Sequence, residues 1–182
     1  MTKIYCDIAD LNIIRKYNKK RLVSGFTTNP SLIRKAKAKN YLIYCKEIVK
    51  ITSKPVSIEV FADDQKNIIR QAEIINKLGK NVYVKIPVVS SKGKFLGNVI
   101  SILNKKKIKL NITAVYTHNQ TKKILNKINK KTKVIISIFA GRMSDVGKDP
   151  IENIKKSISL SKKFKNVQIL WASTREPYNF LN

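Results

Sequence analysis

Residues 82–87 read Val82-Tyr83-Val84-Lys85-Ile86-Pro87. The β-branched and aromatic content reads as a strand, and one lysine sits near its C-terminal end. The chain has 32 lysines. Almost all the others fall in helix-like or loop-like stretches that water can reach. A charged amine in an apolar strand is costly unless it has a partner there. A second stretch has the same anomaly: Val56-Ser57-Ile58-Glu59-Val60-Phe61 sets a carboxylate among apolar neighbours.

Outward from these two runs the chain alternates between two textures. Short β-branched segments are followed by longer ones with apolar residues at helical spacing. Strands are expected at 3–8, 22–27, 56–61, 81–86, 109–113, 133–139 and 167–173. Helices are expected at 10–20, 30–51, 65–78, 94–106, 118–129 and 150–163, the second breaking near Lys39-Asn40. Asp10 and Asp149 read as N-caps, the latter with Pro150 at the first helical position. Gly79 reads as a helix C-terminal cap.

Strand–helix–strand repeats imply parallel strands with crossover helices. The choice lies between an open doubly wound sheet and a closed (β/α)8 TIM barrel. No Gly-x-Gly-x-x-Gly follows the first strand, so the dinucleotide-binding form of the open sheet lacks its signature. The strand ends favour the barrel. Asp7, Thr27 with Asn29, Glu59, Lys85, Asn111 with Thr113, Ser137 with Phe139 and Arg142, and Ser173 with Arg175 each lie toward the C-terminal end of a strand. Barrel active sites are assembled at those ends, whereas an open sheet concentrates such residues at one switch point. Polar residues also end strands simply because loops begin there. That covers Thr27 or Asn111, but not Glu59 and Lys85 inside apolar runs.

The totals agree with one α/β domain spanning 1–182. With 43% hydrophobic residues the chain can bury a substantial core. No apolar run approaches a membrane-spanning length, and the first residues enter a strand pattern without a leader. Cys6 and Cys45 fit a reduced, cytoplasmic protein. The lone His118 cannot anchor a histidine-based metal site, and no metal or cofactor is expected. The net charge of +27 would suit nucleic acid, yet the lysines recur in every segment and lack the interleaved aromatics of a single-strand binder. They read as decoration of solvated helix faces.

A lysine in a barrel mouth loses hydration, which disfavours its charged form. The neutral amine can then attack a carbonyl and form a Schiff base. On position alone, a lysine snorkelling to the rim is the simpler reading. Its neighbours reverse that. Asp7 and Glu59 can move protons, Asn29, Asn111 and Thr113 can bind hydroxyls, and Arg142, Arg175 and Ser173 can hold a phosphate.

Four motifs make the chain similar to the transaldolase family of class I aldolases, in particular its short-chain branch. They are Thr27-Thr28-Asn29-Pro30-Ser31-Leu32, Val84-Lys85-Ile86-Pro87, Ser137-Ile138-Phe139-Ala140-Gly141-Arg142 and Ala172-Ser173-Thr174-Arg175. The resemblance runs from residue 3 to about residue 177. It implies that Lys85 forms a Schiff base with a ketose phosphate donor and that Asp7 handles the proton of the C4 hydroxyl. It implies that Glu59 works through a bound water, which Thr113 helps to position. Asn29, Asn111 and Ser137 would hold the dihydroxyacetone portion, and Arg142, Ser173 and Arg175 the phosphate. Thr27 and Phe139 complete the expected substrate-binding set. An aldose phosphate would be the acceptor.

Fructose-6-phosphate aldolases, close relatives within that family, typically carry tyrosine where this chain has Phe139 and glutamine where it has Glu59. Phe139 and Glu59 are the transferase-like residues. The resemblance also implies a longer barrel, so the eighth strand and terminal helices are expected to be missing from these 182 residues. The exposed edges would invite association, a homo-oligomer included, and the chain alone is expected to be poorly soluble or inactive. A basic nucleic-acid binder and a noncatalytic barrel remnant stand as alternatives from other classes.

Overall fold

The computed structural model describes residues 2–175. The chain divides into two compact units, residues 1–85 and 86–182. The first holds β1 (Ile4–Asp7), α1 (Leu11–Asn18), β2 (Val23–Thr27), α2 (Pro30–Lys35), α3 (Tyr41–Ile51), β3 (Val56–Glu59) and α4 (Gln65–Asn76). Strand β4 (Val82–Pro87) begins in the first unit and ends in the second. The second continues with α5 (Gly97–Lys105), β5 (Leu110–Val115), α6 (His118–Leu125), β6 (Val134–Phe139), α7 (Ala140–Ser144), α8 (Ile151–Ser161) and β7 (Val167–Ala172).

The strand order in the first unit is β1-β2-β3-β4 and in the second β5-β6-β7, with parallel pairing throughout. Sequential parallel strands joined by helices define the α/β class and the repeat of the (β/α)8 barrel. Seven strands lie among the described residues, where seven were expected.

Covered strands explain the near-continuous apolar runs. The first five residues of both β4 and β6 are buried. In the first unit Ile14, Phe26, Ile48, Ile58, Ile68 and Ile75 are at most 2% exposed. In the second Leu96, Ile100, Leu103, Leu110 and Ile112 form the corresponding core. Each such side chain contributes about 1.5–3 kcal/mol on burial.

Helix starts follow side-chain chemistry. Asp10 Oδ1 accepts from the amides of Asn12 and Ile13. Asn29 Oδ1 accepts from Leu32 N, with Pro30 opening α2. Asn40 Oδ1 accepts from Ile43 N at the start of α3, so the predicted 30–51 helix is two helices, broken where Lys37 takes φ 56°. Thr117 and Gln120 form a reciprocal capping box on α6.

Three details differ from expectation. Gly79 is not the left-handed cap, since its φ is not among the positive ones. A Cβ there would lie 2.5 Å from Val49 Cγ1, so glycine serves close packing. Helix α8 starts at Ile151, one residue late, although Asp149 Oδ1 still accepts from Ile151 N. Helix α7 has no counterpart in the expected elements; at five residues it is too short for a periodic signal.

Candidate active site

Lys85 is 7% exposed. Strand register sets Glu59 of β3 directly beside it on β4. Lys85 Nζ lies 3.0 Å from Glu59 Oε2 and donates to the carbonyl of Thr28 at 3.2 Å. A carboxylate and a carbonyl therefore face an amine that solvent barely reaches, which is what keeps a buried cation tolerable. Supporting groups fix both partners. The Thr28 hydroxyl and amide both donate to Ser57 O at 2.9 Å. Tyr41 of α3 donates its hydroxyl to the Glu59 carbonyl at 2.6 Å. Burial and the nearby Cys45 and Glu59 push the Tyr41 phenol upward, so it stays a donor.

At the end of β1, Asp7 pairs in register with Thr27 of β2 and accepts its hydroxyl proton at 2.7 Å. Asp7 is exposed while Thr27 is buried. Asn29 follows two residues later and spends its side-chain oxygen on the α2 cap. The first unit thus brings Lys85 and Glu59 into contact and Asp7 and Thr27 into contact.

In the second unit Asn111 of β5 and Ser137 of β6 are fully buried, and Ser137 Oγ donates to Asn111 Oδ1 at 2.7 Å. Thr113 is equally buried, and its hydroxyl has no hydrogen-bond partner among the described residues. The β5 register shifts between Ile112 and Val115, and Ala114 takes φ 56°. One extra residue is accommodated there, re-aiming this end of the strand in the way bulges do beside functional groups.

After β6, the Arg142 guanidinium lies 5.4 Å from the Phe139 ring, which packs edge-on against Tyr116. Past β7, Ser173 takes φ 62°. Its carbonyl comes so near Gly141 that a Cβ at 141 would sit 1.8 Å away. Glycine at that position is therefore steric. Arg175 donates through Nη1 to Ser173 Oγ at 2.9 Å and Ser173 O at 3.1 Å. Its other edge grips Asp145, Nε to Oδ1 at 3.0 Å and Nη2 to Oδ2 at 2.7 Å. Arg175, with Arg142 nearby, holds the exposed Asp145 carboxyl below its ordinary value.

The sequence assigns no role to Tyr41 or Asp145, nor to Thr28, which figures only as a member of the first motif. Thr28 and Tyr41 act through partners 57 and 18 residues away, which no local pattern reveals. Asp145 lies three residues past Arg142, just outside the Ser137–Arg142 motif.

Among the described residues no group of three or more His, Cys, Asp or Glu side chains could hold a metal. No helix among them is long and apolar enough to cross a membrane.

A parallel βα repeat with a buried lysine–carboxylate pair on adjacent strands places the chain among proteins of the (β/α)-barrel class. Its fold matches that of the 4-hydroxy-tetrahydrodipicolinate synthase of Methylacidiphilum fumariolicum SolV, with a TM-score of 0.58 over 95% of this chain and 69% of that one, at 7% identity. At that identity the likeness concerns the fold alone. The family model for Transaldolase/Fructose-6-phosphate aldolase matches residues 4–182. A probable transaldolase of Thermoanaerobacter sp. (strain X514) is 32% identical over 98% of this chain and 79% of its own length. Another from Sulfurihydrogenibium sp. (strain YO3AOP1) is 35% identical over 98% and 79%, and one from Methanococcus vannielii is 33% identical over 96% and 78%. The chain belongs to the transaldolase/fructose-6-phosphate aldolase family.

Proposed function

We propose that the protein transfers a dihydroxyacetone unit from a ketose phosphate to an aldose phosphate through a Schiff base on Lys85. The observation that carries this reading is the buried Lys85 amine 3.0 Å from the Glu59 carboxylate. Glu59 takes the proton that the amine must lose before it can attack the ketose carbonyl. Addition and loss of water give an iminium, which is the electron sink. Asp7 removes the proton of the C4 hydroxyl, the C3–C4 bond breaks, and its electron pair flows into the iminium to leave an enamine. The aldehyde fragment departs. The enamine carbon then attacks the aldehyde of the acceptor, and hydrolysis frees Lys85.

Asn29, Asn111 and Ser137 hold hydroxyls of the three-carbon unit, and Thr113 positions water. Arg142, Ser173 and Arg175 hold phosphate, for which two guanidinium groups are suited. Thr27 keeps the Asp7 carboxylate aimed through their 2.7 Å bond. No cofactor enters this chemistry.

Phe139 and Glu59 favour transfer over simple cleavage. The discriminating measurement follows fructose 6-phosphate breakdown with and without an acceptor aldehyde. Turnover that depends on the acceptor supports the transferase. Release of free dihydroxyacetone at the same rate without acceptor assigns the chain to the aldolase side of the family.

A further inference from the structure

The proposed phosphate-holding arginine is already in contact with an anion. Asp145 binds Arg175 side-on, with Nε donating to both carboxylate oxygens at 3.0 and 3.2 Å and Nη2 donating to Oδ2 at 2.7 Å. This is the planar, two-point geometry that guanidinium groups use for phosphate oxygens. Ser173 occupies Nη1 through both its hydroxyl and its carbonyl. The loop geometry behind this is tightly set: Ser173 takes φ 62°, and its carbonyl abuts Gly141 of α7, four residues before Asp145. Asp145 and Arg175 each remain over 40% exposed at the side chain, so an incoming anion can reach the pair.

We infer that Asp145 is a built-in competitor that occupies the Arg175 fork and that a phosphate dianion must displace, so that it sets how tightly the phosphate is held. This rests on the reading of Arg175 as a phosphate contact. An exposed ion pair is weak, so a dianionic phosphate displaces the carboxylate easily. A neutral hydroxymethyl group gains too little from the arginine to do so. A monoanion meets the Asp145 charge with only half the attraction. Asp145 therefore tempers the affinity for the dianion, by repulsion and by competition for the same fork.

The test is binding of inorganic phosphate to the full chain, by titration calorimetry, in wild type and Asp145→Asn. Asparagine keeps the size and one acceptor but removes the charge. The expected result is phosphate binding about three- to tenfold tighter in the variant, from removal of one partly screened charge. If the chain turns over, KM for the phosphorylated donor falls with kcat unchanged. Discrimination against the unphosphorylated ketose widens by a similar factor. Asp145→Ser, which shortens the side chain as well, should behave alike. Weaker phosphate binding in both variants would overturn the inference, because Asp145 would then be orienting Arg175. Unchanged binding would overturn it too. If wild type binds no phosphate, or Arg142→Gln/Arg175→Gln binds it as tightly as wild type, the anion-site reading itself falls. The Lys85 chemistry is tested separately, by covalent trapping.

Discussion

The Lys85–Glu59 pair yields the sharpest energetic prediction. At 3.0 Å and an effective dielectric of about 20, the gross attraction is about 5–6 kcal/mol. Most of this offsets the desolvation of two ions. Glu59 keeps 20% side-chain exposure and Lys85 9%, so the pair is nearly but not wholly buried. A net coupling of about 1–2 kcal/mol is expected, below the ~3–5 kcal/mol cost of orphaning a fully buried charge. Glu59→Gln removes the charge, Lys85→Met removes the amine, and the double variant removes both. Each single change leaves the other partner desolvated without its counter-charge. The double variant leaves neither, so it should lose less stability than the two singles summed, by about 1–2 kcal/mol. Chemical denaturation measures all three against wild type, and heat should shift Tm by about 2–4 °C per kcal/mol for a chain of this size. Strict additivity within about 0.3 kcal/mol would refute the claim that these two groups bear on each other.

Other parts of the structure make separate demands. Gly141→Ala places a methyl 1.8 Å from the Ser173 carbonyl; it should cost about 2 kcal/mol or more and weaken phosphate binding, read by melting and titration together. Asn104→Ala removes the buried oxygen that accepts from Asn129 N at 2.7 Å and should cost about 1–3 kcal/mol by denaturant titration. Burial pushes the Cys45 thiol up to about 12, so at pH 8 it stays protonated and should resist iodoacetamide in the native protein while reacting once unfolded. The carboxyls of Asp64, Asp145 and Glu152 are held below their ordinary values by Asn67, Arg175 and Lys156 respectively. Their contribution is complete above the unfolded-state values and is lost as pH falls through the folded ones, so acid titration of stability should decline there and not near neutrality.

Much of this architecture could be read from side-chain type alone. The seven strands announced themselves as β-branched runs, and each observed strand overlaps its expected span. Glu59 and Lys85 were legible because charge inside an apolar strand contradicts its surroundings, and the parallel register then set them side by side. The helix at 30–51 was legible as two pieces with a break near Lys39-Asn40, where Asn40 caps α3; what composition did not show is that Lys37 makes the turn, with φ 56°. Gly79 looked like a cap because glycine commonly ends helices; its actual constraint is Val49, which lies 30 residues earlier. The β5 bulge left no trace in composition, for Ala114 is an unremarkable residue in an uncommon conformation. Asp145 was hidden for a different reason. Carboxylates in lysine-rich loops usually read as solvated, and only the folded chain brings one onto Arg175.

The central claim is that Lys85 alone, among 32 lysines, is the nucleophile. Borohydride reduction in the presence of fructose 6-phosphate, followed by peptide mass mapping, tests it directly. One reduced adduct is expected, on the peptide containing Lys85, and none in Lys85→Met. A correctly folded protein that carries no adduct at Lys85, or carries adducts scattered over surface lysines, would contradict it.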